Sequence, residues 1–287
     1  MGWRSWLFVP GDSERKLAKA ASAGADVVIV DLEDAVAPEA KPAARGLAHD
    51  WLAEGSADNR WVRINALDTP WWREDLAATM PAAPSGIMVP KAAGPDQLQA
   101  LAAELAELEQ RHDLPAGTTE ILPLVSETPA AALSIAAYAA ASLPRLAGLT
   151  WGAEDLSAAL GATRKRDTNG VWTDTFRFVR SQVLLASHAR GVLAVDTLHA
   201  DFRDLAGLEA AAAASRADGF HGMLAIHPDQ VQVINATFSP SEAELAEAQA
   251  IVDLFAANPG AGALALDGRM VDQPHLVQAK RLLGLES

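Results

Sequence analysis

The sequence predicts an α/β fold, a (β/α)8 barrel with a C-terminal helical extension, and three observations carry that prediction. Eight short β-rich apolar runs follow one another, segments of helical period separate them, and seven of the eight carry a charged or polar residue at or near their end. The runs are 5–10, 27–33, 61–65, 86–91, 121–127, 149–155, 193–198 and 223–228. Between them lie stretches such as 13–23, 95–111, 129–141 and 176–190, long enough for the crossover helix that joins parallel strands. Eight parallel strands favour closure; an open doubly wound sheet is the alternative, because periodicity does not show whether the first strand pairs with the last.

A helix at 241–257 is expected to complete the barrel, which makes 1–257 one catalytic domain and 258–287 an extension able to pack on a neighbouring subunit. Gly260, Gly262 and Ala265 imitate a dinucleotide fingerprint, but no strand run precedes them, so they read as a loop.

The chain has 287 residues, 50% of them hydrophobic, and can bury a substantial core. Its net charge of -14, spread over helical stretches, argues against a nucleic-acid partner. With no cysteine there is no disulfide, thiolate metal site or cysteine nucleophile. The apolar N-terminus is broken at Pro10-Gly11, and no apolar run approaches the roughly 20 residues a spanning helix needs. A cytoplasmic protein without a membrane partner is expected. Asn235-Ala236-Thr237 matches a glycosylation acceptor, which has no use without secretion.

In a barrel of this kind chemistry sits at the C-terminal ends of the strands. The second run ends Asp31-Leu32-Glu33-Asp34; the others bring Arg63 and Asn65, Lys91, Glu127, Glu154 and Asp155, Asp196, and His227. Carboxylates from separate strands, without cysteine or a histidine pair at ligand spacing, favour a hard cation held through oxygen, with Mg2+ first among them. His188, His199, His221 and His227 read as core or surface histidines. Arg63 is read as binding a substrate carboxylate or a developing oxyanion. Lys91 as a Schiff-base nucleophile is the competing carbanion strategy, and the carboxylates weigh against it.

The segments Ser5-Trp6-Leu7-Phe8-Val9-Pro10-Gly11, Asp31-Leu32-Glu33-Asp34-Ala35-Val36, Val62-Arg63-Ile64-Asn65, Gly152-Ala153-Glu154-Asp155-Leu156, Ile226-His227-Pro228 and Asp267-Gly268-Arg269-Met270-Val271-Asp272 resemble the citrate lyase β-subunit family, within the wider HpcH/HpaI aldolase and malyl-CoA lyase group. The resemblance runs through nearly the whole chain in order. It implies a (β/α)8 barrel, a homotrimer or hexamer, and Mg2+-dependent cleavage or formation of a carbon–carbon bond in a 3-hydroxyacyl thioester. By resemblance Glu127 and Asp155 are the metal ligands, and they bind the 2-oxo acid together with Gly152 and Ala153. Arg63 clamps the same acid, Glu33 and Asp34 orient water on the metal, and Glu154 serves the fold.

The reaction so implied is a retro-aldol cleavage in which the metal and Arg63 stabilise an alkoxide and the thioester carries the enolate. Asp272, in the tail, matches the aspartate that protonates the enolate in an adjacent subunit's site; its other reading is a helix N-cap before Pro274. The resemblance leaves four functions open: a stand-alone CoA-thioester lyase, a β-subunit whose substrate rides on an acyl carrier protein, a metal-dependent keto-acid aldolase without CoA, and an idle scaffold. Met223 follows Gly222 where relatives often carry lysine, which weakens thioester contacts there. Lys16, Lys41, Arg45 and Arg164 to Arg166 are the candidate rim groups for CoA phosphates.

Overall fold

The computed structural model describes residues 3–54 and 59–285. Eight parallel strands, β1 (Ser5–Pro10), β2 (Val27–Asp31), β3 (Arg60–Arg63), β4 (Gly86–Val89), β5 (Glu120–Pro123), β6 (Gly148–Thr150), β7 (Leu193–Asp196) and β8 (Gly222–Ala225), alternate with helices. These are α1 (Glu14–Ala21), α2 (Lys41–Ala53), α3 (Trp72–Thr79), α4 (Pro95–Arg111), α5 (Pro129–Ser134), α6 (Ala153–Leu160), α7 (Asp174–Arg190), α8 (Leu205–Asp218) and α9 (Pro228–Phe238). The strand order is β5-β4-β3-β2-β1-β8-β7-β6, so β1 lies between β2 and β8 and the open doubly wound order is excluded. Closure between β5 and β6 rests on two bridges, Ile121 with Leu146 and Leu124 with Thr150, and on hydrogen bonds such as Val125 N–H to Thr150 O at 3.0 Å. The result is a (β/α)8, or TIM, barrel.

Period-two alternation sorts the strand side chains into two cores. Trp6, Val27, Ile29, Trp61, Met88, Leu122, Leu124, Val195 and Leu224 fill the barrel. Leu7, Val28, Val30, Val62, Ile87, Val89, Ile121, Leu149 and Ala194 face the helices. Trp6 and Trp61 meet edge to face at 5.1 Å, and Trp3 joins Trp61 at 5.7 Å. A Cβ at Gly86 would fall 2.5 Å from the Trp61 ring, so only glycine lets β4 pass the indole.

The helix that follows β8 is α9, which opens on Pro228 and packs on β1 and β8. It, and not the helix expected at 241–257, completes the barrel. Strand β8 stops at Ala225, and a proline read as a strand end is the first helical residue, where its missing N–H costs nothing.

Residues 239–287 form a second compact unit, and the division at 238/239 precedes the expected boundary at 257/258. Its helix α10 (Glu242–Ala257) carries a capping box of Ser241 and Glu244. The strands β9 (Ala263–Leu266) and β10 (Arg269–Asp272) form an antiparallel hairpin, and α11 (Gln273–Leu282) follows. Ala248, Ile251, Phe255, Val271 and Ala279 make its core. The stretch read as a loop around Ala265 is therefore a strand, joined to β10 at Asp267 (φ 50°) and Gly268 (φ 78°). Asp-Gly between alternating apolar residues is the signal of such a hairpin. No helix among the described residues is long and apolar enough to cross a membrane.

Candidate active site

The site is built on paired strand ends. Asp31 closes β2, Arg63 closes β3, and the parallel register sets them side by side. Arg63 donates from Nε to Asp31 Oδ1 at 2.7 Å and from Nη2 to Oδ2 at 2.6 Å. Asp31 also accepts the Glu33 N–H at 2.9 Å and the Ala35 N–H at 3.3 Å. This bidentate fork leaves Nη1 free of Asp31; it stands 3.1 Å from Glu33 Oε2. Phe8 lies beneath the guanidinium, 4.8 Å from ring to charge. Burial opposes the Arg63 charge, but Asp31, Glu33 and Glu127 outweigh it and raise the pKa above its ordinary value.

Lys91 adopts a positive φ of 50°, uncommon outside glycine. This turn aims both ends of the residue at carboxylates. Its N–H donates to Glu127 Oε2, and its Nζ bonds Glu33 Oε1 and reaches Asp34 at 3.3 Å. Glu127 is 3% exposed. Burial pushes its pKa up to about 8, the Lys91 N–H opposes the shift, and Asp155 and Glu33 add to it. Burial likewise raises Glu33, against the pull of Arg63 and Lys91. Glu33 Oε2 is buried and forms no well-aligned hydrogen bond; its neighbour is the Arg63 Nη1 charge at 3.1 Å.

Asp155 stands in the first turn of α6, whose N-cap is Gly152 and whose first residue, Ala153, is buried. The Gly152 N–H donates to Ser126 Oγ at 3.1 Å. A Cβ at 152 would lie 3.1 Å from Glu127 Cγ and 3.3 Å from its Oε1. Glycine thus lets the start of α6 settle against the Glu127 carboxylate and bring Asp155 into its field.

Glu127 and Asp155 suit Mg2+, which takes one or two protein carboxylates and keeps several positions for water and substrate. The described residues contain no group of three or more His, Cys, Asp or Glu placed to share an ion. Burial and the nearby Asp155 charge disfavour the ionised form of Glu127, so a cation shared by the two carboxylates would offset both effects.

Residues 4–228 match the profile of the HpcH/HpaI aldolase/citrate lyase family. A citrate lyase subunit beta-like protein of Mycobacterium tuberculosis is 41% identical over 278 residues, covering 97% of this chain and 93% of its own. The chain belongs to the HpcH/HpaI aldolase/citrate lyase family. A (3S)-malyl-CoA thioesterase of Cereibacter sphaeroides is 37% identical over 285 residues, 98% of this chain and 93% of that protein. Among solved structures, the CitE protein of Mycobacterium tuberculosis in complex with magnesium, acetoacetate and coenzyme A superposes with a TM-score of 0.83 at 38% identity, covering 99% of this chain and 98% of that one.

Within this family member the barrel unit joins Arg63, Glu33, Asp34, Glu127, Gly152, Ala153 and Asp155 in one neighbourhood, through the contacts above. Asp272 lies in the second unit as the N-cap of α11, its carboxylate 2.5 Å from His275 Nδ1. Glu154 pairs with Lys165. Asp196 is not a free site carboxylate. It accepts the Trp151 indole N–H at 2.7 Å, the Arg180 Nε at 2.8 Å, the Thr197 N–H at 2.9 Å and the Ser215 hydroxyl.

Two candidate rim groups are also corrected. Lys41 is 4% exposed and Arg45 8%, each drawn inward by buried acceptors, so neither reaches a phosphate on the rim. Asp31 was missed as a site residue. Its signal was the register of β2 against β3, which sequence alone does not supply.

Proposed function

We propose that this family member is a Mg2+-dependent carbon–carbon lyase that cleaves a 3-hydroxyacyl thioester, such as citryl-, malyl- or citramalyl-CoA, to a 2-oxo acid and an acyl thioester. The observation that carries the reading is the Glu127–Asp155 pair beside an arginine whose Nη1 is left over after Asp31 has taken the rest of its fork. Glu127 and Asp155 would hold Mg2+, which when bound would supply Lewis-acid stabilisation of negative charge on the oxo-acid oxygens.

Arg63 binds the carboxylate of the oxo-acid portion and favours charge at the oxygen where the bond breaks. Asp31 holds that guanidinium in one plane, so little reorganisation accompanies the reaction. Glu33, tied by Lys91 and paired with Arg63 Nη1, steadies the guanidinium and orients water on the metal. Gly152 and Ala153 line the floor against which the acid sits. The leaving enolate takes a proton, a task assigned to Asp272 of a neighbouring copy in a homotrimer or hexamer.

The test is a panel of malyl-, citramalyl-, methylmalyl- and citryl-CoA with Mg2+ and with EDTA, following 2-oxo acid and free thiol separately. Mg2+-dependent oxo-acid release from one ester is expected, with Asp272→Asn slowing turnover but not oxo-acid binding. Thiol release without oxo acid would move the reading to thioester hydrolysis, the activity named for the Cereibacter sphaeroides relative. Silence across the panel from folded, metal-loaded protein would move it to a carrier-bound substrate or to a keto-acid aldolase without CoA.

A further inference from the structure

The geometry points to Lys41 as a positioning residue that sets the Glu33 carboxylate against Lys91 and Arg63 from behind, through the backbone of the loop after β2. Lys41 is the first residue of α2 and is 4% exposed. Its Nζ donates to Leu32 O at 2.8 Å and to Glu33 O at 2.9 Å, and it lies 5.2 Å from the centre of the Trp71 ring. A buried ammonium spent on two consecutive main-chain carbonyls fixes two peptide planes at once.

The same loop is held from a second side. Asn65 Nδ2 donates to Leu32 O at 3.0 Å and to Asp75 Oδ2 at 2.7 Å, while the Asn65 N–H takes Asp75 Oδ2 at 2.8 Å. Asp75, fully buried, is in turn paired with Arg45 Nε at 2.8 Å. The loop therefore rests on α2, on α3 and on the strand-end segment after β3. Its carbonyls face this scaffold; its Glu33 side chain faces the site, bonded to Lys91 and 3.1 Å from Arg63 Nη1. Of these scaffold groups only Lys41 touches Glu33 itself, and it does so at the backbone.

Among the described residues no hydrogen bond joins Lys41 to Arg63, Lys91, Glu127 or Asp155; it reaches them through the loop after β2, by a path assigned to Glu33 and not to Asp31 or Leu32. That gives the inference a sharp test by double-mutant cycle. Lys41→Met keeps the aliphatic stem against Trp71 and removes the donors; it is compared with Glu33→Gln and with the double variant. Two readouts are taken. One is kcat and KM on whichever ester the wild type turns over; this arm rests on the proposed function. The other needs no substrate. It is the rate at which an amine-acylating reagent labels Lys91, followed by peptide mass spectrometry; the Lys91 side chain is 34% exposed and held by Glu33.

Lys41→Met is expected to lower kcat about 10- to 100-fold, as loss of a group supporting a site residue does, with KM nearly unchanged. It is also expected to quicken labelling of Lys91. Both effects should vanish in the Glu33→Gln background. Independent, multiplying losses would overturn the inference, as would unaltered Lys91 labelling in Lys41→Met. If Lys41→Met does not fold, Lys41→Gln, which retains a donor, takes its place. Failure of both to fold would also overturn it, since Lys41 would then determine the fold and not the site. A wild type silent on every ester, with the labelling pattern as expected, would reject a CoA ester as the substrate and leave the positioning role standing.

Discussion

Glu127→Gln abolishes Mg2+-dependent turnover, by on the order of 10^3-fold, and in the same protein makes the metal-free barrel less sensitive to pH. The first effect is what loss of the proposed charged ligand would cause, since an ion held there would stabilise the transition state by several kcal/mol, at 1.36 kcal/mol per factor of ten. The second follows from the carboxyl being pushed from its usual 4.5 up to about 8, chiefly by burial. A folded-state pKa above the unfolded one means that the folded protein binds the extra proton between those values. The Glu127 contribution to stability in EDTA is thus fully present below about pH 4.5 and is lost as pH rises through 8. In denaturant melts in EDTA the stability of the wild type relative to the Gln variant should fall over that window, and Mg2+ should remove the fall. A difference that stays constant or rises with pH would reject this account of Glu127.

Arg63→Lys is the second large effect, although it keeps the charge. Lysine cannot reproduce the two parallel bonds from Nε and Nη2 to Asp31 and still leave a third donor for the substrate. Oriented oxyanion donors are worth about 10^2- to 10^3-fold when removed, and a loss of that size is expected in kcat/KM. Asp31→Asn should fall in between. It preserves the arginine and its reach but loosens its plane, so kcat drops more than KM rises. Equal activity of Arg63→Lys and wild type would sink the clamp. The measurement is steady-state kinetics on one ester, with Mg2+ affinity followed in parallel to show that Glu127 and Asp155 are intact.

The strands were legible because each carries apolar residues at the right length, and a strand buried on both faces needs nothing subtler. Glu33, Arg63, Lys91, Glu127 and Asp155 were legible for the same reason: the end of a strand is where the chain can turn chemistry toward the barrel mouth. What the sequence hides is pairing at distance. Arg63 finds Asp31 across two strands, and Lys41 reads as one more surface cation until the structure buries it on the carbonyls of Leu32 and Glu33. Charge type says nothing about which way a side chain points. The helix completing the barrel was misplaced because Pro228 signals a strand end and a helix start equally well. The hairpin of the second unit is marked by Asp267-Gly268, but Gly260 and Gly262 just ahead of it also fit a dinucleotide pattern.

The two carboxylates proposed for the ion sit on opposite lips of the barrel's seam. Seven of the eight strand junctions are continuous ladders, whereas β5 and β6 are joined by isolated bridges and their few hydrogen bonds. Glu127 follows β5 and Asp155 follows β6. An ion shared by them would fasten the wall where its ladder is interrupted, as a clasp closes a ring. Amide exchange along 146–152 and 121–125 should slow on adding Mg2+, more than along the β1–β2 ladder; uniform slowing everywhere would mean general stabilisation and no clasp. Catalytic readiness and closure of the cylinder would then be a single event.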